Sequence, residues 1–478
     1  MSKAITQSAN PLGYAPIGKT LARFAIPAII SNLISAVYNI TDQIFIGQGV
    51  GILGNAATNV AFPITTICTA VALLFGIGGA ANFNLEMGRG NEDKAKRIVG
   101  STFGSLILSG LVLCVIIRIF LHPLLVLFGA TDQIMDYAVS YVSITNIGIP
   151  FLLVCTGGSH LIRSDGMPTY SMVAVIVGAV LNMVLDPIFI FVFHWGVAGA
   201  AAATTISQVV SCMMILAYLP RFRSVKLAFK DLIPQMSSVT VIMSLGFASF
   251  INQIAMFVLQ IAMNNTLRHY GGMSDYGSEI PLAAMGIISK LNMIVISVVL
   301  GIAQGGQPII GFNYGAKKFN RVRRTFRLVV ISALIFSCVA FACFQLFPGL
   351  LIGIFGSGNE MYYRFANRLL RIYMFFTFVN CLQPVIATFF TTIGKPLKGA
   401  CVSLTRQTLF LLPLVLVLPR LWGIDGVVYA GPIADSAAFI FALSMGFYEF
   451  RHMPRHDEDI ARSQAGGPAV VTAGEGNL

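Results

Sequence analysis

Charge is scarce in this chain. Asp, Glu, Lys and Arg make up only 10% of its 478 residues, against 56% hydrophobic residues and a mean hydropathy of +0.80. A soluble domain carries about 25% charged residues, so this composition belongs to an integral membrane protein. The eight cysteines all fall inside apolar runs and none form a CxxC pair, which argues against a disulfide framework or a cysteine metal centre. No Walker A sequence occurs, so ATP is not expected as a direct energy source. His122, His194 and His269 are scattered without metal-ligand spacing, and no nucleophile–base pairing is visible. An enzyme is not expected, nor is a bound cofactor. The polar first twenty residues, with Lys3 and Lys19, lack a cleavage pattern, and no removable signal peptide is expected.

What the chain has is long apolar runs. A bilayer-spanning helix needs about 20 such residues. Spans are expected at 20–44, 57–84, 98–120, 134–158, 168–191, 197–218, 240–267, 281–309, 326–347, 362–391, 397–418 and 427–447. The lysines and arginines test this count. With the N-terminus placed in the cytoplasm, 23 of the 31 fall on cytoplasmic segments, 6 on outer ones, and Lys290 and Arg406 within spans. This is the asymmetry of the positive-inside rule, and it explains the net charge of +12 without nucleic acid. Both termini are expected in the cytoplasm, with the spans in the cell membrane.

The chain also repeats itself. Phe75–Arg97 (FGIGGAANFNLEMGRGNEDKAKR) echoes Leu300–Val322 (LGIAQGGQPIIGFNYGAKKFNRV). Gly166–Met167–Pro168 echoes Gly394–Lys395–Pro396, and Trp195–Gly196 echoes Trp422–Gly423, at offsets of 225 to 228 residues. The expected fold is therefore an all-α integral membrane protein with twelve transmembrane helices in two six-helix bundles. A pseudo-two-fold axis along the membrane normal relates the bundles. The division is a cytoplasmic N-terminus (1–19), an N-lobe (20–219), a basic cytoplasmic linker (220–235), a C-lobe (236–450) and a disordered cytoplasmic tail (451–478). Two like halves facing each other suit a central cavity and alternating access, and nothing demands more than a monomer.

The chemistry centres on Leu181–Phe193, LNMVLDPIFIFVF. Asn182 and Asp186 lie one helical turn apart on one face, with Pro187 directly after the acid. A carboxylate in a span costs roughly 2.5–3.5 kcal/mol on insertion scales and generally faces an interior cavity with a role to fill. Pro187 removes a backbone donor and frees carbonyls nearby. Asp42 lies at a similar depth in the first span, with Tyr38 one turn before it, and Thr204 and Thr205 sit at this level in the sixth. Two carboxylates, an amide and hydroxyls suit an oxygen-ligated cation, sodium included. They equally suit a shared proton, because burial and a neighbouring carboxylate both favour the neutral acid. Pro27 offers the first helix a place to bend as a gate.

The C-terminal half has its own polar set. Gln253, Gln260 and Asn264 share a helix face, and Gln304 and Gln307 follow on the eighth span. Lys290, Arg406 and Asp435 lie near mid-membrane and are expected to form one ion-paired network, either a lever or substrate contact or a structural clamp. The 36 Phe and 19 Met residues suit a promiscuous cavity for amphipathic cations, although most must serve lipid contact and packing.

IPAIISNLISAVYNITDQIFIG (Ile26–Gly47), LNMVLDPIFIF and GQPIIGFNYGA (Gly306–Ala316) resemble the multidrug and toxic compound extrusion (MATE) transporters, nearest the DinF/MepA-like bacterial branch. The resemblance covers about residues 18–450. It implies a twelve-helix antiporter that exports amphipathic, often cationic, small molecules against an inward flow of protons or sodium ions. It also implies a coupling site formed by Tyr38, Asp42, Asn182, Asp186 and Thr204. Another branch carries an acid in the seventh helix, where this chain has Asn252, Gln253 and Gln260, so no second C-lobe cation site is expected. Ser159 and His160 stand where relatives often have Asn. The competing expectation is a flippase of lipid-linked or lipid-like substrates. That activity calls for a more densely charged cavity than Lys290 and Arg406 supply.

Overall fold

The structure is a computed structural model and describes residues 10–355 and 360–454. Most of the expected disordered tail, and residues 1–9 of the N-terminal segment, lie outside the described residues. Twelve spanning elements follow in order, among them eleven unbroken helices long and apolar enough to cross a bilayer. The N-lobe comprises α1 (Ile17–Gly49), α2 (Ile52–Gly88), α3 (Glu92–Ile119), α4 (Asp132–Ser164), α5 (Pro168–Val192) and α6 (Gly196–Tyr218). The C-lobe comprises α7 (Met236–Gly272), α8 (Glu279–Gly315), α9 (Phe319–Leu346), α10 (Glu360–Tyr373 with Thr377–Thr392), α11 (Pro396–Trp422) and α12 (Ile424–His452). Two large apolar cores match this division, one mainly among α2–α6 and one mainly among α7–α12.

The helices run several residues beyond the expected apolar spans at most ends, because polar turns continue the backbone ladder past the lipid. The tenth span, expected as one run over 362–391, is bent by 44° between Tyr373 and Thr377. Past that bend Pro384, which has no N–H and crowds the carbonyl four residues before it, interrupts the second segment at Cys381. Gln383 then donates to the Val402 and Ser403 carbonyls of α11 at 2.9 and 3.0 Å, fixing the lower half.

The repeat extends to features the sequence pattern did not expose. Short helices Leu121–Leu127 and Pro348–Phe355 occupy matching places after α3 and α9. Left-handed turns recur at Gly166 and Gly394 (φ 87° and 80°) and at Gly196 and Gly423 (φ 56° and 58°), where a side chain would strain the backbone. The counterpart helices α5 and α11 each contain a π-helical segment, Ile188–Val192 and Thr405–Leu411.

The linker between lobes is fastened to the N-lobe. Lys96 of α3 pairs with Asp231 at 3.0 Å, and the Ala228 N–H donates to the same carboxylate at 2.7 Å. These contacts, the backbone donor first, hold the Asp231 carboxyl below the usual carboxylate range. A Cβ at Gly100 or Gly104 would lie about 2 Å from the Asp231 or Leu232 carbonyl oxygen, so α3 meets the linker backbone directly.

Candidate functional site

The lobes meet at one end. Added Cβ atoms on Gly78 and Gly246 would lie 2.0 Å from the Ile242 oxygen and 1.7 Å from the Leu74 oxygen, which places α2 and α7 backbone to backbone. Gly88 and Gly315 do the same for α2 and α8, against the Phe312 and Leu85 oxygens. Gly301 and Gly305 bring α8 to within a Cβ's width of Ile29 and Ala25 of α1. All these contacts lie in the helix halves nearest the basic loops.

The seam carries two polar ties. Arg163 of α4, only 8% exposed, donates to Gln304 Oε1 of α8 at 2.5 Å, and Asn32 of α1 donates to the Ser297 carbonyl at 3.2 Å. Toward the opposite face no hydrogen bond joins the lobes among the described residues. There α7 leaves Met256, Gln260 and Asn264 exposed. The contacts between the lobes are therefore concentrated at the basic end, and the untied side between them is the cleft.

The N-lobe polar cluster assembles beside this cleft. Close packing sets the helices: a Cβ on Gly49 would lie 2.1 Å from Ile190 Cγ2, docking the end of α1 on the π-turn of α5. A Cβ on Gly178 would lie 2.0 Å from Ser211 Oγ, and that hydroxyl donates to the Ala174 carbonyl at 3.0 Å, so α5 and α6 nearly touch. Asn182, Asp186 and Thr204 are 1%, 0% and 7% exposed, whereas Tyr38 and Asp42 are half-buried on the cleft side. In the amide orientation that satisfies both its ends, Asn182 donates to Asp186 Oδ2 at 2.8 Å and accepts from Thr204 Oγ1 at 3.2 Å. Tyr38 reaches Thr204, and the carboxyl groups of Asp42 and Asp186 are in contact. Asp42 Oδ1 is buried without a hydrogen-bond partner. All five residues expected in the cluster thus come together.

Sequence reasoning missed Tyr141 of α4, which packs against the Ile46, Ile190 and Ala200 cluster one turn from Asp42 and Asp186. It sits about as deep in its span as Asp42 does in α1, but tyrosines are common there, so depth alone did not single it out. Thr205 points elsewhere, donating to the Ile144 carbonyl at 3.2 Å.

The C-lobe set divides. Arg406 and Asp435 pair at 2.5 Å with side chains 12% and 3% exposed, Arg406 being carried on the π-segment of α11. Lys290 does not join them: it is exposed on α8 and has no ion pair among the described residues. The reason is its helix face, since Lys290 shares the stripe of Leu282, Gly286 and Met293 that turns away from the α11–α12 contact. Gln260 donates to Asn264 at 3.0 Å on the exposed face of α7, with Gln253 half-buried on the same face. Gln304 is taken up by Arg163, and Gln307 is buried inside the C-lobe beside Phe326 and Val329, away from the cleft. Pro27 is buried and α1 runs unbroken through it. His160 is buried one turn before Arg163. No cluster of three or more metal-ligating His, Cys, Asp or Glu occurs among the described residues.

Comparison with known proteins bears on this arrangement. The multidrug export protein MepA of Staphylococcus saprophyticus is 26% identical over 432 residues, covering 89% of this chain and 92% of that protein. Its namesake in Staphylococcus aureus MSSA476 is 24% identical, covering 90% and 93%. Among solved structures, the MATE multidrug transporter DinF-BH is 34% identical, covers 91% of this chain and 95% of its own, and superposes with a TM-score of 0.83. An outward-facing multidrug resistance MATE transporter of the MOP superfamily covers 95% and 99% with a TM-score of 0.85, at 21% identity. The flippase alternative draws no support from these relatives. The MatE family description matches residues 27–188 and 248–417, more than half the sequence, and the chain belongs to that family.

Proposed function

We propose that this protein exports amphipathic, often cationic, small molecules across a bacterial plasma membrane, driven by protons or sodium ions taken up at the N-lobe cluster. One observation carries the reading: two carboxyl groups from different helices, Asp42 and Asp186, touch in a buried cluster that holds no basic residue. Two carboxylates in contact repel unless a proton or cation lies between them. The cluster therefore has two energetically distinct states, empty and occupied, and the difference is expressed as a force between α1 and α5.

Occupancy from the open end of the cleft neutralises the pair and lets α1 close on α5. Pro27 gives α1 the freedom to bend in that step, since the carbonyl four residues before it has no backbone partner. Asn182 and Thr204 hold Asp186 in place, and Tyr38 and Tyr141 wall the cluster from the cleft. With the basic loops in the cytoplasm, the cleft opens outward, and a moving α1 loosens its contact with Gly301 and Gly305 at the cytoplasmic seam. On this reading the two six-helix lobes are the moving bodies, the linker travels with the N-lobe, and Gln253, Gln260, Asn264 and Lys290 form the polar part of the cleft wall. Arg406 serves as a permanent counter-cation to Asp435, which makes the C-lobe pair a clamp instead of a second coupling site.

The test is dye movement in reconstituted vesicles with proton and sodium gradients imposed separately. Gradient-driven movement that is lost in both Asp42→Asn and Asp186→Asn supports the reading and names the ion. Equal movement in the variants would refute the role given to the acid pair.

A further inference from the structure

A cavity of about 760 Å³ lies at the basic face, directly on the seam between the lobes. It is remote from the acid cluster and plays no part in the coupling reading. Its walls come from the start of α1, the ends of α2 and α4, the start of α3 at Glu92, the chain after α6, α8 through Phe312, and the N-terminal segment 10–16. That segment begins with a 3-10 turn at Pro11–Gly13 and is strapped to the C-lobe. Asn313 and Arg321 donate to the Leu12 carbonyl at 2.9 and 3.0 Å, and Arg321 also donates to the Ala15 carbonyl.

Three cations line the cavity: Lys19, Arg23 and Arg223. All are exposed, and none has an ion pair among the described residues. Two carboxylates also line it. Asp165 is 4% exposed and accepts from the Tyr218 hydroxyl and from the Arg223 and Ser224 N–H groups at 2.7, 2.8 and 2.9 Å, so its oxygens are already occupied. Glu92 stands at the rim, exposed. The Ser224 and Ser164 hydroxyls add neutral donors, and Phe24, Met87 and Phe312 give an apolar floor. Unpaired guanidinium groups beside hydroxyls, in a cavity of ligand size, are the donor set that suits a phosphate group.

We propose that this cavity binds a phosphate-bearing anion, and that the bound anion fastens the seam at the basic face. The argument for the second part is position. Lys19, Arg23 and Arg223 belong to the N-lobe side, Phe312 and the strapped segment line the C-lobe side, and an anion held by the first set is enclosed by the second. Separation of the lobes would dismantle the site, so occupancy favours the closed seam by its differential affinity for that state. This second part rests on the alternating-access reading; the binding itself does not. The bland alternative is that these cations serve only membrane topology and are fully solvated.

The experiment uses the full chain in nanodiscs of phosphatidylcholine. Inorganic phosphate is titrated against chloride at matched ionic strength, with thermal unfolding as the readout, and the series is repeated with phosphatidylglycerol in place of part of the lipid. Stabilisation by inorganic phosphate identifies a soluble anion as the ligand; stabilisation by phosphatidylglycerol alone identifies a lipid headgroup. In either case Arg23→Gln and Arg223→Gln each weaken the effect about ten-fold, as expected for loss of one charge-assisted contact. Arg324→Gln, an exposed cation on the same face outside the cavity, leaves it unchanged. A third variant, Ser224→Glu, places a carboxylate in the cavity without removing a cation and abolishes the effect.

No stabilisation by either anion, or equal stabilisation in all variants, overturns the proposal. Binding that is equally tight when the seam is forced apart by Gly246→Ala overturns its second part only. Failure of dye transport in the same preparation would bear on the exporter reading and leave the binding result standing.

Discussion

The glycine seam makes a demanding prediction. At Gly246 an added methyl would sit 1.7 Å from the Leu74 carbonyl oxygen and 2.6 Å from its carbon, where ordinary contacts fall at 3.4–4 Å. The obstacle is backbone on both sides, so no rotamer change relieves it. Gly246→Ala therefore requires α2 and α7 to separate by well over an ångström at the basic face. Overpacking of this kind typically costs about 1–3 kcal/mol. Charged against the closed-seam state alone, that is a shift of about 5- to 150-fold toward separated lobes. Pulsed electron resonance reads the change directly, with spin labels at Arg221 and Arg324, both exposed and on opposite lobes, in a background lacking the exposed Cys338, Cys343 and Cys401. The expected result is a longer-distance population that is minor or absent in the parent. Gly286→Ala is the control: nothing lies within 4 Å of its added methyl, and it leaves the distances alone. An unchanged distance distribution in folded Gly246→Ala protein would refute the seam as the contact that holds this end shut.

Other consequences follow from the same geometry. Removing Arg406 strands a buried Asp435, so Arg406→Leu lowers unfolding stability by about 3–5 kcal/mol, whereas Arg406→Leu with Asp435→Leu recovers most of the loss; equal losses in the two would contradict the clamp. Gln304→Glu sets a carboxylate against the buried Arg163 guanidinium, and is expected to narrow the interlobe distance at the basic face and slow dye export; faster export would oppose it. The Asp231 carboxyl is held below its usual range, so the linker docking it supports is complete above the ordinary Asp value of about 3.9 and is lost as pH falls through the lower, folded value. Lys96→Met moves the Asp231 titration upward, as read by carbon NMR of a labelled sample, and no movement would show that the pair is not formed in solution.

The membrane class, the number of spans and the two-lobe repeat were legible in the sequence because each follows from one-dimensional quantities. Lipid imposes a minimum apolar length, translocation imposes a charge asymmetry, and an internal repeat leaves a constant offset between matching turns. Asn182 and Asp186 were legible too, since one helical turn puts them on one face before any packing is known. Asp42 was found through its charge and depth, Tyr38 as its neighbour one turn before it, and Thr204 was separated from Thr205 only by the family resemblance.

What depth does not supply is direction around each helix, and that was left to the tertiary structure. Lys290 shares its depth with Arg406 and Asp435 but faces away from them, whereas Tyr141 packs on Ile46 and Ile190 beside the acid cluster. Arg163 finds its partner 141 residues away on the other lobe, a pairing no local pattern encodes. The glycines of the repeated GIGGA and GIAQGG stretches are visible in the sequence, but only the packed lobes decide that Gly78, Gly246, Gly88 and Gly315 meet foreign backbone. Local sequence sets which residues share a helix face; the rotation of that helix against its neighbours is the sum of many small contacts, and it alone decides what the face meets.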